Sequence, residues 1–254
     1  MAEIIGIASA KGGVGKTTVA LNLSLALSRY FKKRVLLIDL NLTAPHISTY
    51  VGIFSSKNIN CVMRNDCKIE DVIQLYFYDL NLIVCSEKIE DLIGVDFSIL
   101  RNEIEKIKEK YDYVILDLAP GIGREASNGI LISQKILIVT NPDIASVTDS
   151  LRIKKISNFF SKEIIGIVLN KVKGKNYELR EKDIESFTNL KVLVKIPYDD
   201  EFLKGLAIKL PPLAKPKPNQ EIKQAFINLA SLITKEKIER KKSFWEKLKE
   251  FFNF

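Results

Sequence analysis

No other stretch limits what this chain can fold into as much as Lys11-Gly12-Gly13-Val14-Gly15-Lys16-Thr17-Thr18. Its glycines suit a turn in which backbone N–H groups close around an anion, and the lysine and threonines that follow suit phosphate oxygens and a divalent cation. Such a turn works between a strand and a helix N-terminus, whose dipole adds to the attraction. Both neighbours are predicted: Ile4–Ala8 is an unbroken apolar run of strand length, and Thr18–Tyr30 has helical periodicity. In this setting Lys16 reaches the β- and γ-phosphates of a nucleotide. Thr17 gives its hydroxyl to Mg²⁺, Thr18 meets the α-phosphate, and Gly12, Gly13, Val14 and Gly15 supply backbone.

Further apolar runs at Val35–Ile38, Leu80–Val84, Tyr113–Leu116, Ile136–Val139, Ile164–Leu169 and Val192–Ile196 are continuous rather than alternating, as in strands covered on both faces. Helical segments such as Ser98–Lys110 and Ser146–Phe160 lie between them. The expected fold is therefore α/β, a doubly wound, mostly parallel sheet with helices on both faces. One such domain accommodates residues 1–234. Four prolines in Leu210–Pro218 predict an extended surface segment, and Asn219 is placed to cap a final helix through Ile222, Ala225, Phe226, Leu229 and Ile233.

Three cysteines, Cys61, Cys67 and Cys85, form no C-x-x-C pair and leave an odd count for disulfides. This points to a reducing cytosol and away from a zinc or iron–sulfur site. No run of about 18 apolar residues and no signal peptide are visible, so a cytoplasmic location is expected. The formal charge of +8 calls for an anionic partner, whether nucleotide, nucleic acid or lipid, without choosing among them.

The missing first glycine and the additional Lys11 resemble the altered phosphate loop of the MinD/ParA family of ATPases, within the SIMIBI-like P-loop NTPases. Other segments fit the same family in order: Val35–Asn41, Val114–Gly121, Val139–Asp143 with Val147-Thr148-Asp149, Val168–Lys171 and Ile196–Asp199. These resemble its MinD branch, of the archaeal type, over roughly residues 3–233. The resemblance implies ATP or ADP with Mg²⁺ as cofactors and a homodimer formed with ATP, in which Lys11 reaches the phosphates held by the other subunit. It also implies that Asp39 at switch I and Asp117 at the end of a strand approach Mg²⁺ through water. Gly121 then offers its N–H to the γ-phosphate, and Asn170 with Pro197, Tyr198 and Asp199 holds the adenine.

Many members carry Asp-x-Asp at switch I, whereas the second position here is Asn41. An amide orients water but cannot take its proton, so hydrolysis is expected to be slow but real. A neutral family variant is the other reading. His46, the only histidine, is read as an exposed polar residue of the same loop.

Residues 235–254 begin as a charged connector and end in an aromatic-rich tail. On a helical wheel Phe244, Trp245, Leu248, Phe251 and Phe252 share an arc of about 120°. Flanking lysines suit an anionic membrane surface, and the tail resembles the family's membrane-targeting helix. A helix packed on its own domain and an anchor for another protein are the alternatives. The functional expectation is an ATPase switch for spatial organisation, such as positioning of a division site or complex, with peripheral membrane association and an unidentified regulatory protein. Two alternatives remain: a DNA-binding partition protein and a nucleotide-binding scaffold with little turnover.

Overall fold

The computed structural model of the protein describes residues 2–237. The expected tail helix, with Phe244, Trp245, Leu248, Phe251 and Phe252, lies outside the described residues. No described helix is long and apolar enough to cross a membrane.

Seven of the eight strands among the described residues coincide with the apolar runs: β1 (Glu3–Ala8), β2 (Val35–Leu40), β4 (Asn81–Ile83), β5 (Tyr113–Leu118), β6 (Lys135–Thr140), β7 (Glu163–Val172) and β8 (Val192–Pro197). The additional β3 (Gln74–Leu75) is two residues long, too short to show a pattern, and pairs antiparallel with β4 at the sheet edge. The strand order is β3-β4-β2-β5-β1-β6-β7-β8, parallel throughout except for that edge pair. β1 sits centrally, so the turn that leaves its C-terminal end opens at the middle of the sheet's carboxyl edge, where doubly wound sheets place their ligands.

Each sheet face carries its own core. One is covered by α1 (Lys16–Phe31), α2 (Ile47–Val51) and α9 (Gln220–Thr234), through Leu21, Leu25, Ile47, Phe226 and Leu229. Onto the other pack α3 (Ile59–Met63), α4 (Phe97–Ile107), α5 (Arg124–Ile132), α6 (Ile144–Phe159) and α7 (Glu181–Thr188), through Val62, Leu100, Ile130, Val147 and Ile184. Thirteen of the sixteen residues of α1 are buried, because α9 covers the side that the sheet does not. Asn219 caps α9 as expected, accepting from the N–H groups of Glu221 and Ile222.

Two expectations need correction. The proline segment is not a surface strap along its whole length: Pro211, Pro212, Leu213 and Ala214 are buried. Asn22 of α1 accepts from the Leu213 N–H (3.1 Å), and Arg29 donates to the carbonyls of Leu213 (2.8 Å), Lys215 (2.6 Å) and Pro216 (3.0 Å). Prolines cannot donate, but their segment's carbonyls can still be satisfied by a helix's side chains. Second, Cys61 and Cys67 form a disulfide, their Cα atoms 5.7 Å apart across the end of α3. The odd count reflects Cys85, which is buried alone and donates to the Asp39 carbonyl.

Candidate nucleotide site

The turn between β1 and α1 forms one wall of a cleft of about 520 Å³. Gly15, the residue before α1, has φ +96°, a conformation natural to glycine. A Cβ there would sit 2.1 Å from Asn170 Nδ2, so both backbone and packing require glycine. Lys11, Gly12, Gly13, Gly15, Lys16, Thr17 and Thr18 all line the cleft; Val14 turns its side chain into the core. Pro197, Tyr198 and Asp199, at the end of β8, form part of the opposite wall together with α8 (Glu201–Ala207).

The two lysines of the loop have different surroundings. Lys16 is buried and its Nζ donates to Asp117 Oδ1 at 2.9 Å, in an ion pair whose side chains are 7% and 0% exposed. Lys11 is exposed at the mouth, and its side chain makes no hydrogen bond or ion pair among the described residues.

Asp39 and Asp117 lie opposite each other in the β2–β5 register, both fully buried. Asp39 accepts from the N–H groups of Asn41 (3.0 Å), His46 (3.2 Å) and Ile47 (3.1 Å), so its carboxylate organises the loop that leads to α2. Burial, then the charge of Asp117, raises its pKa to about 7, although the N–H bonds from Asn41 and Ile47 and the charge of Lys16 oppose the rise. One carboxylate oxygen of Asp117 and the side-chain oxygen of Asn41 are buried without a partner. Two buried carboxylates in register, with one oxygen of Asp117 and that of Asn41 unpartnered, offer oxygen donors suited to a hard cation such as Mg²⁺.

Asn41 is buried; its amide nitrogen donates to the Ala44 carbonyl and lies 3.4 Å from His46 Nδ1. His46 is exposed, as expected, although its ring lines the cleft. Thr43 in this loop donates through its N–H and hydroxyl to Glu125 of α5, both at 3.0 Å, linking the segments after β2 and β5.

One site expectation changes. Gly121 gives its N–H to the Ser9 carbonyl at 2.8 Å, because φ +87° folds the exit of β5 back over the exit of β1. In this conformation that N–H is not available to a phosphate. Asn170, expected at the adenine, lines the cleft, and its amide nitrogen is committed to the Val14 carbonyl (2.7 Å) beneath the phosphate loop. Sequence reasoning also passed over two cleft residues. Tyr50, whose hydroxyl lies 3.4 Å from that of Thr18, carries no motif; Lys171 stood inside a motif without a role.

Residues 2–165 match the family model described as AAA domain. An uncharacterised ATP-binding protein of Methanocaldococcus jannaschii is 31% identical over 98% of this chain and 97% of its own length. The chain belongs to the MinD/ParA family of P-loop ATPases. Two solved structures are similar to it at 30% identity and a TM-score of 0.87 over 92% of this chain. They are the cell division ATPase MinD of Pyrococcus furiosus, covered to 99%, and the septum site-determining protein MinD of Pyrococcus horikoshii, covered to 97% and complexed with Mg-ADP.

Proposed function

We propose that this MinD/ParA ATPase is a nucleotide-operated switch: Mg-ATP brings two copies together, the pair docks on an anionic membrane through its tails, and hydrolysis releases it. The observation that carries the reading is the separation of the two loop lysines. Lys16 is committed inside the cleft beside Asp117, while Lys11 stands at the mouth with its ammonium bonded to no group among the described residues. A cation held there suits phosphates bound by a facing copy, where it would offset charge gathering in the transition state. Leu203 and Tyr198, 61% and 49% exposed beside the same mouth, give that copy an apolar rim to cover.

Mg²⁺, when bound with nucleotide, supplies charge neutralisation at the β- and γ-phosphates. Thr17 would hold it, with Asp39 and Asp117 acting through water. Lys16 would turn from Asp117 toward the phosphates, and Thr18 would meet the α-phosphate. Pro197–Asp199 would flank the base. Asn41 would orient the attacking water without accepting its proton, which makes turnover slow until a partner protein assists. Avidity supports the membrane step: one short amphipathic helix binds lipid weakly, and pairing two raises the effective concentration of the second.

The test compares oligomeric state and sedimentation with anionic liposomes in ATP, ADP and no nucleotide, for the intact chain and for one lacking residues 243–254. Dimerisation and pelleting are expected only with ATP, and the shortened chain should dimerise without pelleting. Behaviour independent of nucleotide in both assays would remove the switch, and undiminished pelleting of the shortened chain would remove the membrane step.

A further inference from the structure

Successive residues of a strand point to opposite faces, yet two consecutive residues at the end of β7 reach the same loop. Asn170 Nδ2 donates to the Val14 carbonyl at 2.7 Å, and Lys171 Nζ donates to the Gly13 carbonyl at 2.6 Å. The backbone explains how. Lys171 has φ +57°, and the pairing of β7 with β8 slips register between Leu169 and Val172. That irregularity is a bulge, and bulges re-aim side chains next to functional sites.

The consequence lies in the phosphate loop. In a trans peptide the C=O and the following N–H point in opposite directions, and every peptide bond described is trans. Holding the Gly13 carbonyl toward Lys171 turns the Val14 N–H the other way; holding the Val14 carbonyl toward Asn170 does the same for the Gly15 N–H. Neither of these N–H groups donates to another backbone group among the described residues. We infer that Lys171 is a positioning residue: together with Asn170 it clamps two consecutive carbonyls of the loop, so that the Val14 and Gly15 N–H groups are aimed at phosphate oxygens before nucleotide arrives.

The same bulge also carries the opposite wall. The Val172 carbonyl accepts from the Tyr198 N–H at 2.9 Å, and Lys173 Nζ lies 4.7 Å from the centre of the Tyr198 ring. One irregular turn of β7 thus sets the loop and the wall that face each other across the cleft. This inference rests on the cleft binding a nucleotide and is independent of dimerisation and of the membrane.

Lys171 is the clean probe because it is exposed, whereas Asn170 is packed under Gly15 and its truncation would open a cavity. Binding of Mg-ADP and of adenosine would be measured by displacement of a fluorescent ADP analogue, for the intact protein and for Lys171→Met, Lys171→Arg and Lys171→Gly. Lys171→Met should weaken Mg-ADP about tenfold, the loss of one charge-assisted hydrogen bond, while adenosine stays within about twofold. Lys171→Arg should restore most of the loss, since a guanidinium can donate to the same carbonyl. Lys171→Gly keeps the left-handed backbone without the amine and should match Lys171→Met. In steady state KM for ATP should rise with kcat held. Mg-ADP binding by Lys171→Met within twofold of the original protein overturns the clamp. So does a Lys171→Gly variant that binds normally, or an adenosine loss as large as that of Mg-ADP. If the original protein itself failed to bind Mg-ADP, the nucleotide site would fall first, a distinct result.

Discussion

Asn41→Asp restores the carboxylate that many family members carry, and the structure gives it a cost before any gain. The amide nitrogen of Asn41 donates to the Ala44 carbonyl, a bond worth about 1 kcal/mol that a carboxylate cannot make. The new charge would also enter a buried position two residues from Asp39. Asp39 shows what this environment does to a carboxylate: its pKa is lifted to about 7 even with three N–H donors to help it. If position 41 imposes half of that shift, the charge costs about 2 kcal/mol at pH 8, at about 1.4 kcal/mol per unit. Together with the lost bond, the nucleotide-free variant should be about 3 kcal/mol less stable. For a chain of this size that is a fall of roughly 6–12 °C in Tm.

Mg²⁺ with nucleotide should reverse most of that deficit, because it brings the positive charge that the third carboxylate lacks. Thermal melts at pH 8, with EDTA and with saturating Mg-ADP, read the difference directly. Turnover at saturating ATP should rise by about tenfold or more, as a group able to take a proton replaces one that only orients water. A nucleotide-free variant as stable as the original would refute the electrostatic reasoning. Unchanged turnover would show that Asn41 does not limit hydrolysis.

Gly15→Ala should lower Mg-ADP affinity at least about 100-fold by titration calorimetry while the circular dichroism spectrum is retained, since the new methyl displaces Asn170 from Val14 and strains a φ of +96° by roughly 1–2 kcal/mol; a change of only a few fold would refute it. For pH, Asp39 binds its proton more tightly folded than unfolded, so between about pH 4 and 7 the folded state holds the extra proton and stability falls as pH rises, levelling above pH 7. Melts of the nucleotide-free protein from pH 5 to 8 should show that decline, less steep with Mg-ADP; a rise in stability over the interval attributable to position 39, tested with Asp39→Asn, would contradict it. ADP should bind much more weakly in EDTA than in Mg²⁺, because drawing Lys16 from Asp117 without a replacement cation leaves a buried carboxylate uncompensated.

The sheet was legible because strands covered on both faces are written as unbroken apolar runs: β1, β2, β5 and β6 each differ from their expected runs by at most two residues at an end. What escaped was encoded in relations between distant segments. Nothing in Leu210–Pro218 announces that Arg29 and Asn22 will gather its backbone, so composition alone placed it on the surface. The Cys61–Cys67 bond depends on how α3 ends, not on the number of cysteines. Lys16, Asp39 and Asp117 were legible as chemistry, since a carboxylate at the end of an apolar strand calls for a cation. The targets of Asn170 and Gly121 were not, because each is settled by a backbone angle at a bulge or turn that no residue pattern specifies.

Lys16 and Asp117 explain why such a site can fold stably before it has a ligand. A carboxylate buried without compensation would cost several kcal/mol, and a second one in register beside it would add repulsion. Asp39 is answered by three N–H groups and by accepting a raised pKa; Asp117 is answered by Lys16. Only one oxygen of Asp117 is used in that pair, and the other is left as the site's strongest unmet acceptor. With Mg-nucleotide bound, Asp117 would be compensated by the cation in place of Lys16, and Lys16 would be free for the phosphates without leaving a buried carboxylate unanswered. The loop around Asn41 and His46 hangs from the same Asp39 carboxylate, and Thr43 ties it to Glu125 beyond β5. A change of charge beside Asp39 and Asp117 is thereby placed to move the segments after both strands together, which a switch built on nucleotide state requires.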